Sequence, residues 1–254
     1  MKHTLRNLIL SSLFAVTSLC AQGLVIPQVA DGGGWSSTVV LTNTTTSTIQ
    51  VTLAFYQDTG ANGETEPWTP TFEGVPSTEG LQLAAASTVF LQMTPSNATT
   101  VTQGWGELIG TTAGVVAYVI YTYTSPTSQA TSQGTAQAVT GSSRILVPFD
   151  NTGNLATELA VVNAQSSQVS IQVNIKTSDG SVSTGTTLTM AGEGQMAFGI
   201  AAKFPTTAGQ SGLAEFYTNT GSFAIIALQS NTSSTGAFSF TTAPVYPQTG
   251  APIL

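Results

Sequence analysis

The sequence predicts an all-β protein of two tandem antiparallel Ig-like β-sandwich domains after an N-terminal signal peptide. Three observations predict this fold: the halves of the chain repeat each other, apolar residues alternate along short segments, and turn-forming residues separate those segments. Short alternating strands with frequent turns are typical of antiparallel sandwiches. We expect the first domain at residues 22–125 and the second at residues 144–243.

The repeat is visible in matched segments. Val39–Asn43 recurs as Leu159–Asn163, and Gly104–Leu108 recurs as Gly212–Phe216. The offset between copies changes from 120 to 108 positions, which indicates one duplicated unit with a loop of altered length. We therefore expect two superposable sandwiches in which four pairs of residues are equivalent: Leu41 with Val161, Asn43 with Asn163, Phe55 with Ile175, and Glu107 with Glu215.

The strand signals follow the same order in both copies. Large apolar residues occupy every second position of Ile49–Phe55 and again of Val169–Ile175, so one face of each strand is predicted to lie in a core. The turn sequences Asp58-Thr59-Gly60 and Asp179-Gly180 follow these two strands. Each asparagine of the repeat is expected to end a strand and bond the next turn, and each glutamate to lie partly buried with a hydrogen-bond partner.

Two segments lie outside the predicted sandwiches. Residues 126–143 are almost entirely Ser, Thr, Gln, Ala and Gly, and we interpret them as an inter-domain linker or a long exposed loop. Residues 244–254 form a tail with three prolines, which is not expected to extend a central strand.

Residues 1–21 have the pattern of an export signal. Lys2 and Arg6 precede the apolar segment Leu8–Val16, and small residues follow it. We expect a secreted or cell-surface protein with no transmembrane segment after cleavage. Cys20 is not expected to carry a lipid anchor, because the preceding residue is Leu19 where a small residue would be required.

Removal of the signal restricts the possible chemistry. The remaining chain has three basic and twelve acidic residues, a net charge of −9, which excludes a nucleic-acid partner. The single His and the single Cys both lie within residues 1–21, so a Ser-His-Asp triad is excluded. We expect no catalytic residues and no enzymatic activity.

A weak metal site is one alternative for the loop that follows Asp58. Asp58, Asn62 and Glu64 offer oxygen ligands at alternate positions around a glycine, a spacing found in Ca²⁺ loops, although no glutamate closes the loop. Asp58-Thr59-Gly60 also matches the short signature of aspartic proteases, but the second copy lacks that pattern. A solvated acidic loop explains the same residues. Apart from possible Ca²⁺, no cofactor is expected.

Three tryptophans are candidate ligand-stacking residues. Trp35, Trp68 and Trp105 could form a platform for sugars, or they could pack in the cores and between strands.

The chain resembles secreted tandem β-sandwich proteins of soil bacteria, especially acidobacteria. The resemblance depends on the segments Ile26–Trp35, Gln103–Glu107, Arg144–Asn151 and Ala208–Phe216. It implies an exported Ig-like sandwich protein and carries no catalytic residues.

These observations favour a non-enzymatic, exported surface or matrix binding and adhesion module, with a protein or glycan of the cell surface as partner. Two alternatives stay open. One is a structural subunit that self-associates into a fibre or coat through sheet edges, which few lysines protect here. The other is a calcium-assisted carbohydrate-binding protein that uses the Asp58–Glu64 loop and the tryptophans.

Overall fold

A computed structural model describes residues 23–60, 63–94 and 99–254, and these residues form an almost entirely β structure. The all-β prediction is confirmed; the predicted signal peptide lies outside the described residues. The described part of the first half contains nine strands: β1 (Leu24–Asp31), β2 (Trp35–Asn43), β3 (Ile49–Asp58), β4 (Thr65–Trp68), β5 (Leu81–Leu83), β6 (Thr88–Gln92), β7 (Thr102–Gly110), β8 (Val115–Thr124) and β9 (Thr131–Gln137).

The second half also contains nine strands, with one short helical segment between β14 and β15. The strands are β10 (Arg144–Asp150), β11 (Leu155–Val162), β12 (Val169–Thr177), β13 (Val182–Met190), β14 (Gln195–Gly199), β15 (Ser211–Tyr217), β16 (Ala224–Thr232), β17 (Phe238–Ala243) and β18 (Tyr246–Pro247). The helical segment consists of α1 (Ile200–Lys203) and a 3-10 turn (Pro205–Thr207). No described helix has the length and apolar character needed to cross a membrane.

The two halves have the same strand order. The first has sheets β1-β7-β3-β4, with β5 also on β3, and β6-β2-β8-β9. The second has sheets β18-β10-β15-β12-β13 and β14-β11-β16-β17. Strand β13 takes the place of both β4 and β5, so the extra residues of the first half lie largely between those two strands. All the strand pairs are antiparallel, and each half encloses its own hydrophobic core.

The alternation seen in the sequence places equivalent residues in the two cores. Leu41 and Phe55 are buried in the first core, and Val161 and Ile175 are buried in the second. Sheets with one apolar face each pack over these cores, which accounts for the period-two pattern of β3 and β12.

The predicted linker at 126–143 is corrected by the structure. Strand β9 lies in this stretch and pairs with β8 from Tyr118–Gln137 to Thr124–Thr131. It is the edge strand of its sheet and buries a single residue, Ala136. Because its other side chains are exposed or half-buried, this strand can consist mainly of hydroxyl and amide residues. Its composition is therefore that of a linker, although its backbone is hydrogen-bonded to β8.

The outer face of sheet β14-β11-β16-β17 packs against the first sandwich. Within β11, Leu159 and Val161 belong to the second core, whereas Ala160 packs against the first core and Val162 against Val25 and Trp105. A strand buried on both faces needs a continuous apolar run, and Leu159–Val162 is such a run. The edge strands β9 and β17 meet beside this contact, where Thr242 Oγ1 donates to the carbonyl of Thr135.

Candidate functional site

A cleft of about 440 Å³ opens between the two sandwiches. Its volume lies within the range of small-molecule sites. One wall comes from β1, β2, β7 and β8 of the first sandwich and the other from β11, β14, β16 and β17 of the second. The lining residues are mostly apolar: Gln28, Ala30, Trp35, Val101, Gln103, Tyr121, Glu158, Leu159, Ala160, Ala197, Phe198, Gly199, Ile226, Leu228, Ser230, Phe238 and Phe240.

An aromatic cluster forms one end of the cleft. Trp35 lies 5.1 Å from Phe240 and 6.2 Å from Phe238 between ring centroids, so the cluster joins the two sandwiches. Trp35 follows the turn at residues 32–34, whose three glycines all have positive φ. A side chain at Gly34 would meet the carbonyl oxygen of Thr124 at 2.4 Å, which explains why the turn requires glycine.

Glu158 is the acidic residue of the wall that the second sandwich contributes. It lies on the same face of β11 as Ala160, and its carboxylate sits over Gly199, where an added Cβ would meet Oε2 at 2.9 Å. The side chain is half-buried, and its carboxylate has no hydrogen-bond partner among the described residues. Burial raises the pKa of Glu158. It is the one acidic residue in the described lining, which contains no basic residue.

A chain of hydrogen-bonded amide side chains connects the two sandwiches beside the cleft. Nε2 of buried Gln195 donates to Oε1 of Gln28 at 2.7 Å and to the carbonyl of Pro27 at 2.6 Å. Gln28 then donates to Gln103 at 3.3 Å, and Gln103 donates to Oδ2 of Asp58 at 3.1 Å. This chain fixes the two glutamines that face the cleft.

The three tryptophans do not form one platform. Trp105 is fully buried, stacks on Tyr56 at 4.5 Å and donates from Nε1 to the carbonyl of Glu193 at 2.9 Å. Trp68 is half-buried and packs edge-on against Phe55. Of the three, only Trp35 lines the cleft, so the structure does not bring them together as the single platform that is one interpretation of the sequence. Trp105 is buried because the second sandwich covers it, a contact that its strand pattern does not reveal.

The predicted calcium ligands are not brought together in the described structure. Asp58 accepts hydrogen bonds from the backbone N–H of Gly60 at 2.7 Å and from Gln103, so its carboxylate closes a turn. The side chain of Glu64 is exposed, and Asn62 lies outside the described residues. Among described residues, no group of three or more His, Cys, Asp or Glu side chains could hold a metal ion.

Asn43 and Asn163 hold the same turn in the two sandwiches. Nδ2 of Asn43 donates to the carbonyl of Ser47 at 2.7 Å, and Nδ2 of Asn163 donates to that of Ser167 at 2.8 Å. Each Oδ1 accepts the backbone N–H two residues later. Both side chains are fully buried at the end of the second strand of their sandwich.

Glu215 is fully buried and bound on several sides. Its carboxylate accepts hydrogen bonds from Nε of Arg144 at 2.7 Å and from the backbone N–H groups of Ile253 and Leu254, both at 2.9 Å. Burial opposes ionisation, but these donors outweigh it and lower the pKa of Glu215. The tail at 244–254 therefore covers this face, and β18 pairs with β10 at the sheet edge.

Glu107 occupies the equivalent register position but lacks these partners. It pairs with Val25 and Ala54, where Glu215 pairs with Leu146 and Asn174. The expectation of a hydrogen-bond partner is wrong for Glu107 within the described residues, because Gly23 stands where the second copy has Arg144. Burial, reinforced by the charge of Glu193, raises the pKa of Glu107.

Sequence reasoning missed Glu158. The available signal was a carboxylate inside the apolar run Leu155–Val162, at a position whose counterpart in the first copy is Thr38. An acidic residue that only one sandwich carries on the outer face of this strand indicates a feature of that sandwich alone. Comparison of the chain with protein-family models, with curated proteins and with solved structures found no match.

Proposed function

We propose that this chain is an exported, non-enzymatic binding module whose ligand occupies the cleft between the two sandwiches. The observation that carries the proposal is the cleft itself, which has an aromatic end, an apolar floor and a few oriented polar groups. Concave, mainly apolar sites of this size, with a small number of polar groups, are typical of ligand pockets, and they often lie at domain interfaces.

Binding can be tested with a small neutral aromatic compound, 4-phenylbutan-1-ol, by titration calorimetry. We expect the compound to bind the wild-type protein. Trp35→Leu should weaken the affinity at least several-fold, and Trp68→Leu should leave it unchanged. Trp68 is the matched control because it is half-buried on β4 and does not line the cleft. Absence of binding, or equal loss in both variants, would contradict the proposal.

Export and duplication belong to the same proposal. The signal-like pattern of residues 1–21 and the low positive charge of the remaining chain support export. The matching strand order of the halves supports descent from one duplicated sandwich, as in the secreted tandem sandwich proteins that the sequence resembles. N-terminal sequencing of protein recovered outside an expressing bacterial cell should begin near Gln22; a chain that keeps residue 1 would contradict export.

Self-association is a second candidate function, favoured by one exposed face. Phe90 and Val116 are 60% and 49% exposed on the outer face of sheet β6-β2-β8-β9. Their counterparts by register, Ala197 and Ala224, face the first sandwich. A second copy could cover the free face in the same way. Sedimentation should then show dimers that Phe90→Ser abolishes, and a monomer at high concentration would contradict assembly.

A further inference from the structure

The two ends of the cleft differ in a way that bears on its ligand. Phe238 and Phe240 lie on the same face of β17 and, with Trp35, present ring surfaces to the cleft. Aromatic ring faces carry partial negative charge and attract cations within about 6 Å. Ala160, Ile226 and Leu228 form an apolar floor beside Glu158, and Leu228 and Ser230 are the lining residues between Glu158 and the aromatic residues of β17.

Glu158 places a carboxyl group in the same space. Its carboxylate has been partly removed from water without gaining a donor from the described residues, and burial raises its pKa accordingly. An isolated, partly desolvated carboxylate is unfavourable unless a positive partner approaches it. The described lining holds no Lys, Arg or His that could act as this partner. The nearby Lys203 ammonium instead lies over the Phe198 ring at 5.8 Å.

We propose that the cleft selects ligands with a positively charged nitrogen on an apolar body, such as arylalkyl ammonium compounds. The nitrogen would pair with Glu158, and the apolar body would lie on Leu228 toward the Trp35 cluster. The net charge of −9 expected after signal removal also attracts cations and repels phosphate and carboxylate ligands. This inference rests on the proposed cleft function and adds the chemical class of the ligand.

Three probes of one shape test the charge preference. These are 4-phenylbutylamine, 4-phenylbutan-1-ol and 4-phenylbutyrate, which are cationic, neutral and anionic at pH 7. Titration calorimetry should give the tightest binding for the amine, by about ten-fold over the alcohol, and the weakest for the carboxylate. Glu158→Gln should abolish the preference for the amine over the alcohol.

The control variant is Glu107→Gln, which removes a half-buried carboxylate outside the cleft and should not change the affinity of any probe. Equal binding of amine and alcohol, or an equal effect of the two glutamine variants, overturns the charge preference. If the alcohol still binds and depends on Trp35 in that case, the cleft function stands and only the ligand class fails. Failure of all three probes to bind overturns both.

Discussion

The Nε atom of Arg144 lies 2.7 Å from Oε1 of Glu215, and both side chains are shielded from solvent. The Glu215 carboxylate also accepts hydrogen bonds from the N–H groups of Ile253 and Leu254, so it binds the tail to sheet β10-β15-β12. Such a pair is costly to break on one side, because the remaining charge stays buried and unpaired.

Glu215→Ala should lower the free energy of unfolding by about 3–5 kcal/mol, since it leaves the buried Arg144 without its carboxylate partner and removes the acceptor of the Ile253 and Leu254 N–H groups. Glu107→Ala is the matched variant at the equivalent register position. It should change stability by less than about 1 kcal/mol, because the side chain has no described partner to lose. Urea denaturation measures the free energy of unfolding of both variants. Equal losses would contradict the difference in hydrogen bonding between Glu215 and Glu107.

The two glutamates should also give opposite pH dependences. Because the folded pKa of Glu215 is lowered, its contribution is fully present above the unfolded value of about 4.3 and is lost as pH falls through the folded pKa. Glu107 has a raised folded pKa, so its contribution to stability falls as pH rises through that value.

Glu107→Gln should therefore raise the melting temperature at pH 7 and have little effect near pH 4, where the wild-type side chain is largely protonated. Glu215→Gln should lower the melting temperature at pH 7, with a smaller loss at acid pH. Thermal melts at both pH values check this, and a pH-independent difference for either variant would contradict the assignment.

The buried asparagines should be equally important in the two sandwiches. Asn43→Ala and Asn163→Ala each remove an amide that joins a strand end to its turn, and each should cost about 2–4 kcal/mol. Asn231→Ala, at an exposed position of β16, should stay within about 0.5 kcal/mol. Chemical denaturation measures the free energy of unfolding of the three variants. A loss of stability at only one of the two buried asparagines would contradict their equivalence.

Trp105 should couple the unfolding of the two sandwiches. It is fully buried where Val25 meets Val162, so Trp105→Ala should cost about 3–5 kcal/mol and weaken the contact between domains. Calorimetry should show one transition for the wild type and two for the variant, whereas Trp68→Ala should keep one. Two transitions in the wild type would show that the sandwiches are independent.

The sequence predicted what depends on local pattern. Alternation located the core residues Phe55 and Ile175, and repetition matched Asn43 with Asn163. Contacts between the sandwiches could not be predicted in this way, because a pattern reports that a residue is buried and not what covers it. The burial of Trp105 and the cleft beside Glu158 both depend on how one sandwich packs on the other. Strand β9 was missed because an exposed edge strand needs no apolar alternation.

The most direct test of the cleft as the ligand site is a backbone amide NMR titration with 4-phenylbutan-1-ol. If the ligand binds in the cleft, the largest chemical-shift changes should occur at Ala160, Gly199 and Leu228, which line it, with little change at Phe90 or Val116. Changes concentrated on the Phe90 and Val116 face, or no changes at all, would contradict binding in the cleft.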